Sequence, residues 1–486
     1  MKHLAALAGL LGLLGACSTD HSTTNQATRL GPPDAGGAYA APPVGSFPSD
    51  EATVNRWVHA QDMRAIRAHA WDIWQSINTL TPDSLPVWET WYSGHELFER
   101  VTATRTVVHD FNSPVQFFHA SVVKQRGIPS DPAEMPISFN RYSPSLANFI
   151  WTNRLYDSAV LAQKYQAVVR SGAPLAQRGL LTSKDSVDKA SFALKPVFQF
   201  IRGDSASVVP YWAGTAPGAT TDLDNPEPHT WRQCVIVDPT GRLKPGTTAR
   251  MSCNGESPRD WPVVSMKDFY SIQITAAEAA SYSKFAEESG DEIGRGNLGD
   301  TTSIKQLVKA GNYALLTGMH VTGKEISNWT WQTFWWSPNG HDAVFGNDRP
   351  KTLPAPWNHY NMLAAYYMVA PAGTRTGGQP LIVFNPYLET NLTGTVANGA
   401  GSKGSTQWYG VFSNCMSCHR LAAWPQGQYT SSGYIDPGDS AFFTGNLKTD
   451  FLWSVATRAR PISPAQLKLL RQLRPAKPAG AAGAGK

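Results

Sequence analysis

The sequence predicts a mainly α-helical fold with a smaller β-containing region and a helical C-terminal domain. Three observations carry this expectation. Apolar residues recur near the helical period over 51–80 and again over 143–172. β-Branched and aromatic residues concentrate in an insert near 193–260. A compact segment, 401–475, ends in helix-like patterns before a Pro/Ala/Gly tail. The chain has 486 residues, enough to bury a large core, and its 17 Trp, 19 Phe and 16 Tyr supply side chains for one. Charged residues make up only 16%, below the ~25% usual for globular domains. The formal net charge is +5, with no long basic stretch interleaved with aromatics, so no nucleic-acid partner is expected.

The first residues read MKHLAALAGLLGLLGACSTD. Lys2 and His3 form a short n-region. Leu4 to Leu14 form an apolar core shorter than the about 20 residues a membrane span needs, but of signal-peptide length. Leu14-Gly15-Ala16-Cys17 resembles the lipoprotein box of bacterial lipoproteins. That resemblance implies a signal peptide at 1–16 and a lipid anchor on Cys17. It also implies a periplasm-facing location, with Ser18 favouring the outer membrane. Residues 17–50 are rich in Ser, Thr, Gly, Pro and Ala and read as a flexible tether. Residues 476–486 read as a disordered tail. No other segment is apolar enough to suggest a transmembrane helix.

Residues 51–400 read as one large helix-rich region. Val54, Trp57, Val58, Met63, Ile66, Ala70, Ile73 and Ile77 follow the helical period, with Ser49 or Asp50 as cap, so one or two helices are expected. Trp88, Trp91 and Tyr92 form an aromatic cluster. The stretch from Ser143 reads as helix ending at Gly172. ALKPVFQFI, SVVPYW and WRQCVIVDPTGRL read as strands with turns. MKDFYSIQITAAEAASYSKFAE reads as mostly helix with some strand, and the first part of TTSIKQLVKAGNYALLTGMHVTGKEISNWTWQTFWWSPNG as helix. Next come Trp329, Trp331, Trp335 and Trp336, which either line a cofactor or fill a core. The core is the expectation.

The segment that carries chemistry is Cys415-Met416-Ser417-Cys418-His419, a C-x-x-C-H. It resembles the haem attachment site of c-type cytochromes. The resemblance implies two thioethers from Cys415 and Cys418 to one covalent haem c. His419 is then the axial iron ligand, and 401–475 becomes a cytochrome c-like helical haem domain. A thioredoxin-like motif would need a βαβ context, and a structural zinc site would need more Cys or His nearby. Neither is present. With Cys17, Cys415 and Cys418 assigned by these resemblances, Cys234 and Cys253 remain as a disulfide pair or as two buried thiols.

No His, Met or Cys follows His419, which departs from cytochromes that place a methionine ligand after the motif. Three outcomes stay open: a sixth ligand from upstream, an unusual one such as Lys448, Tyr429 or Tyr434, or an open site. The upstream candidates are His320, His359 and Met362, with His95, His109, His119, His341 and Met368 behind them. The expected function is periplasmic one-electron transfer with a redox partner protein. The alternative is a haem enzyme, peroxidase or oxygenase-like, with an open or upstream-supplied distal site. A sensory or structural haem is a third reading. His320 with Lys324 or Glu325 would make a distal set, but the spacing is too common to name catalytic residues. No G-x-S-x-G, H-E-x-x-H or phosphate-loop motif supports a hydrolase.

Overall fold

Two strands that look helical or ambiguous in sequence run through the centre of the molecule. The computed structural model describes residues 38–98, 109, 137–172, 190–213, 231, 233–253, 256–288, 308–338, 345–368, 381–388, 414–420, 422–425 and 446–461. The chain enters through helices α1 (Glu51–Ala60) and α2 (Met63–Ile77). Asp50 and Asp62 cap them, their side chains accepting from the amides of Thr53 and Ala65. Next come β1 (Tyr92–Ser93), α3 (Gly94–Phe98), β2 (Ile137–Ser138), β3 (Arg141–Tyr142), α4 (Pro144–Thr152), α5 (Ser158–Tyr165) and β4 (Phe192–Ile201). A second sheet follows, from β5 (Ser207–Pro210), β6 (Cys234–Val237), β7 (Thr248–Met251) and β8 (Arg259–Val264). The chain then returns through β9 (Ser271–Gln273), α6 (Ala276–Glu288), β10 (Tyr313–Gly323), β11 (Thr330–Trp336) and β12 (Tyr360–Ala365). It closes with α7 (Cys415–His419), β13 (Ala423–Trp424), β14 (Leu447–Lys448) and α8 (Trp453–Arg458).

The main sheet is antiparallel, in the order β1-β3-β4-β10-β11-β12, with β2 on β4 and β9 on β10. Its register decides which side chains share a face. Met319, Val321, Phe334 and Met362 pack with Trp71 and Trp74 of α2. On the opposite face, Lys195, His320, Thr333 and Leu363 form one row across four strands, and Ala193, Thr322, Trp331 and Ala365 form the next. This second face meets Cys415, Met416, Phe451, Leu452 and Val455.

The mainly α expectation is therefore corrected. Among the described residues helix and strand are nearly balanced, at 30% and 27%. The physical cause lies in β10 and β11. Both of their faces are buried, so the alternation that betrays a strand is missing. Tyr313–Gly323, within the segment whose first part reads as helix, is the longest strand among the described residues. The helical C-terminal domain is corrected too. The described part of 401–475 holds helices of only five and six residues and a two-stranded ladder. Its apolar residues share a core with β11, β12 and α4.

Residues 38–50, assigned by composition to the tether, lie against the body. Phe47 is buried, the Trp91 indole donates to the Tyr39 carbonyl at 2.8 Å, and the Ser46 amide donates to Asp72 at 2.7 Å. Cys234 and Cys253 form a disulfide with Cα atoms 6.6 Å apart, within a small cluster with Trp261 and Val263. Cys17, the signal segment and the tail lie outside the described residues. Among the described residues no helix is long and apolar enough to cross a membrane.

Candidate functional site

The C-x-x-C-H segment is a single helical turn, α7. Positions four apart on a helix lie on one side, so Cys415 and His419 project together. Cys415 and Met416 are buried in the apolar cluster with Trp331, Phe451 and Leu452. The side chain of Cys418 lies outside the described residues. Past the turn, the chain runs through β13, and the Thr449 amide donates to the Ala422 carbonyl at 3.0 Å. That contact brings Phe451 back over His419.

His419 Nδ1 lies 2.8 Å from the Phe451 carbonyl oxygen. A carbonyl only accepts, so Nδ1 carries the proton and the neutral ring has its lone pair on Nε2. No described residue hydrogen-bonds Nε2. Burial pushes the imidazole down, the Phe451 bond pulls it up, and the charges of His320 and Lys195 push it further down, to about 3. The Trp331 ring lies against the imidazole, centroids 4.5 Å apart and planes tilted by 49°.

The facing row of the sheet is polar although it is buried. His320 Nδ1 and the Thr333 hydroxyl are 2.8 Å apart, and Asn385 donates to that hydroxyl at 2.8 Å. Lys195 stands opposite His320 in the register. The hydroxyl of Thr322, opposite Trp331, is buried with no partner among the described residues.

Of the upstream ligand candidates among the described residues, the structure brings His320 and Met368 to this side. Met362 is on the other face, in the core with Phe334. His359 lies over Trp336 on that side, 3.7 Å from Asp268. His109 is held between Glu89 and Glu278. Met368 packs in the cluster with Cys415. The set of His320 with Lys324 or Glu325 is not assembled. Lys324 pairs with Asp450, and Glu325 takes hydrogen bonds from His69 and Thr330. Lys448, on β14, is held below its ordinary pKa by burial. His119, His341, Tyr429, Tyr434 and the side chain of His95 lie outside the described residues. The three tryptophans of β11 divide as strand alternation requires. Trp335 and Trp336 fill cores on opposite faces, whereas Trp331 touches His419.

No family model, curated protein or solved structure matches the chain.

The site's chemistry thus rests on its own donors. Among the described residues, no group of three or more His, Cys, Asp or Glu could hold a metal ion. His419 is a lone imidazole, and a lone imidazole holds iron firmly only when a macrocycle supplies the other donors. The residues present fit haem in three respects. A buried thiol and an imidazole share one turn. The imidazole is neutral with Nδ1 tied to a carbonyl, the arrangement that orients a metal-bound histidine. An orphaned hydroxyl lies on the adjoining sheet face. Sequence reasoning missed Phe451, Lys195 and Asp450. Nothing in local spacing marks them, since each reaches the site through tertiary contact.

Proposed function

We propose that the protein is a c-type cytochrome that binds one haem through Cys415, Cys418 and His419. It transfers single electrons in the periplasm to or from a redox partner protein, held at the membrane by a lipid on Cys17. The observation that carries this reading is the pairing of the C-x-x-C-H turn with the Phe451 carbonyl. That carbonyl orients His419 through Nδ1 and leaves the lone pair of the neutral ring on Nε2. When bound, haem supplies a one-electron iron couple whose potential follows ligation and burial. The two thiols would attach it, and His419 would bind the iron. Trp331, Phe451 and Leu452 would limit water at the ligand.

A second reading, a haem enzyme, is favoured by one observation. A simple carrier needs only apolar cover, yet the row of the sheet on this side carries Lys195, His320 and Thr333 in register. Thr322 adds an orphaned hydroxyl on the same face. The test is expression with the c-type maturation machinery. Haem that stays on the denatured polypeptide, and is lost in Cys415→Ala/Cys418→Ala, supports the proposal. Absence of covalent haem overturns it. A low-spin spectrum indifferent to carbon monoxide and cyanide selects the carrier, and a high-spin spectrum with rapid ligand binding selects the enzyme. Cys17→Ala should release the protein into the soluble periplasmic fraction.

A further inference from the structure

The hairpin turn between β10 and β11 reaches across to the segment that holds His419. Lys324, the first residue after β10, is buried, and its ammonium donates to both Asp450 carboxylate oxygens at 2.8 and 3.1 Å and to the Ser327 carbonyl at 2.8 Å. The Trp329 indole donates to the same carboxylate at 2.9 Å, and the Lys324 ammonium lies 5.3 Å over its ring. Asp450 is thus gripped by a cation and an indole from one short turn, with its side chain only 9% exposed.

The backbone beside this grip is unusual. Asp450 and Phe451 are consecutive left-handed residues with φ of 50° and 67°, and Trp329 has φ of 63°. A bulky aromatic residue rarely adopts this conformation, and it persists only where its surroundings over-determine it. Here the surroundings are visible. The Leu452 amide donates to the Thr449 carbonyl and the Thr449 hydroxyl to the Leu452 carbonyl, both at 3.0 Å, while Lys324 and Trp329 hold Asp450 between them. The outcome of the double left-handed turn is the direction of the Phe451 carbonyl, which meets His419 Nδ1.

We infer that Asp450, Lys324 and Trp329 are positioning residues for His419, coupling the β10–β11 turn to the iron ligand through the Phe451 carbonyl. This rests on the haem reading above for its consequence, but the coupling itself is a property of the polypeptide. Releasing the grip lets the carbonyl turn away. A histidine that loses its Nδ1–H···O bond is a weaker donor, so ferric iron is less stabilised and the midpoint potential rises.

The experiment compares the full chain with Asp450→Ala, Asp450→Asn and Trp329→Phe, with and without haem. In the unloaded protein, nitrogen-15 NMR of His419 should report an Nδ1-protonated ring, shifting to a mixture of tautomers in Asp450→Ala. In the loaded protein, Asp450→Ala should keep full covalent haem and show a raised midpoint potential. Asp450→Asn, which can still accept from Trp329, should show a smaller rise. Trp329→Phe removes one donor while keeping an aromatic ring, so it serves if Asp450→Ala does not fold, and it should move both readouts the same way. A folded variant with unchanged tautomer and unchanged potential overturns the inference. If the unaltered chain takes no haem, the proposed function fails, while the NMR comparison still decides the coupling.

Discussion

His109 bridges two carboxylates from distant parts of the chain. Nε2 lies 2.7 Å from Glu89, and Nδ1 pairs with Glu278. Burial alone would lower its pKa, but the Glu89 charge and the bonds to Glu278 and Glu89 outweigh burial and raise it to about 9. A folded pKa above the unfolded 6.5 means the imidazolium contributes its full stability below about 6.5 and loses it as pH rises through about 9. Glu278 has the opposite sign. Burial pushes it up, its bond and charge contact with His109 pull it below 4.5, and its contribution is lost in acid. His109→Ala should therefore destabilise the protein by ~3–5 kcal/mol near pH 6, as breaking a buried ion pair does. The gap to wild type should close as pH passes about 9. Urea denaturation across that pH range checks it, and a pH-independent gap contradicts it. At this scale the C-x-x-C-H residues were legible because they lie within one turn of chain. His109 was not, because both partners come from other elements.

The elements show where periodicity speaks and where it is silent. α1 and α2 announce themselves because one face is exposed and their caps are aspartates. β4 and β6 were also legible, through runs such as Phe192 to Ile201 and Cys234 to Val237. β10 was not, since burial on both faces erases its alternation. In the smaller sheet, the disulfide ties the start of β6 to the residues just beyond β7. Its ends are 19 positions apart, for which chain entropy gives about 3 kcal/mol. Cys234→Ser/Cys253→Ser should lower the urea midpoint by a corresponding amount, without changing haem incorporation. A double variant as stable as wild type would refute this.

The whole molecule is organised by the two faces of one sheet. The first face is sealed by α2. Trp74 stacks on Phe334 at 4.1 Å, meets Tyr360 at 4.9 Å, and donates its indole N–H to the Trp357 carbonyl at 3.2 Å. The second face carries Trp331, His320 and the C-x-x-C-H turn. Trp74→Ala should cost ~3–5 kcal/mol, measured by thermal unfolding, because it opens a large cavity at the join of helix and sheet. Since β10 and β11 form both faces, the loss should appear in a single transition that also disrupts the His419 side. Separate transitions for the two sides would contradict this.

By itself the sequence determined local features: the C-x-x-C-H spacing, helix in the entry segment with Asp50 among its candidate caps, and the strands around Cys234. Each of these is written in spacing between near neighbours, where one turn or one pleat sets the geometry. The tertiary structure alone decided that a large antiparallel sheet, not a mainly α-helical core, underlies the described residues. It also decided that the C-terminal segment shares that sheet's core, and that His320, and not Met362 or His359, comes to the side of His419. Strand pairing brings together residues more than a hundred positions apart, as in β4 and β10, and a sheet buried on both faces leaves no period from which to read them.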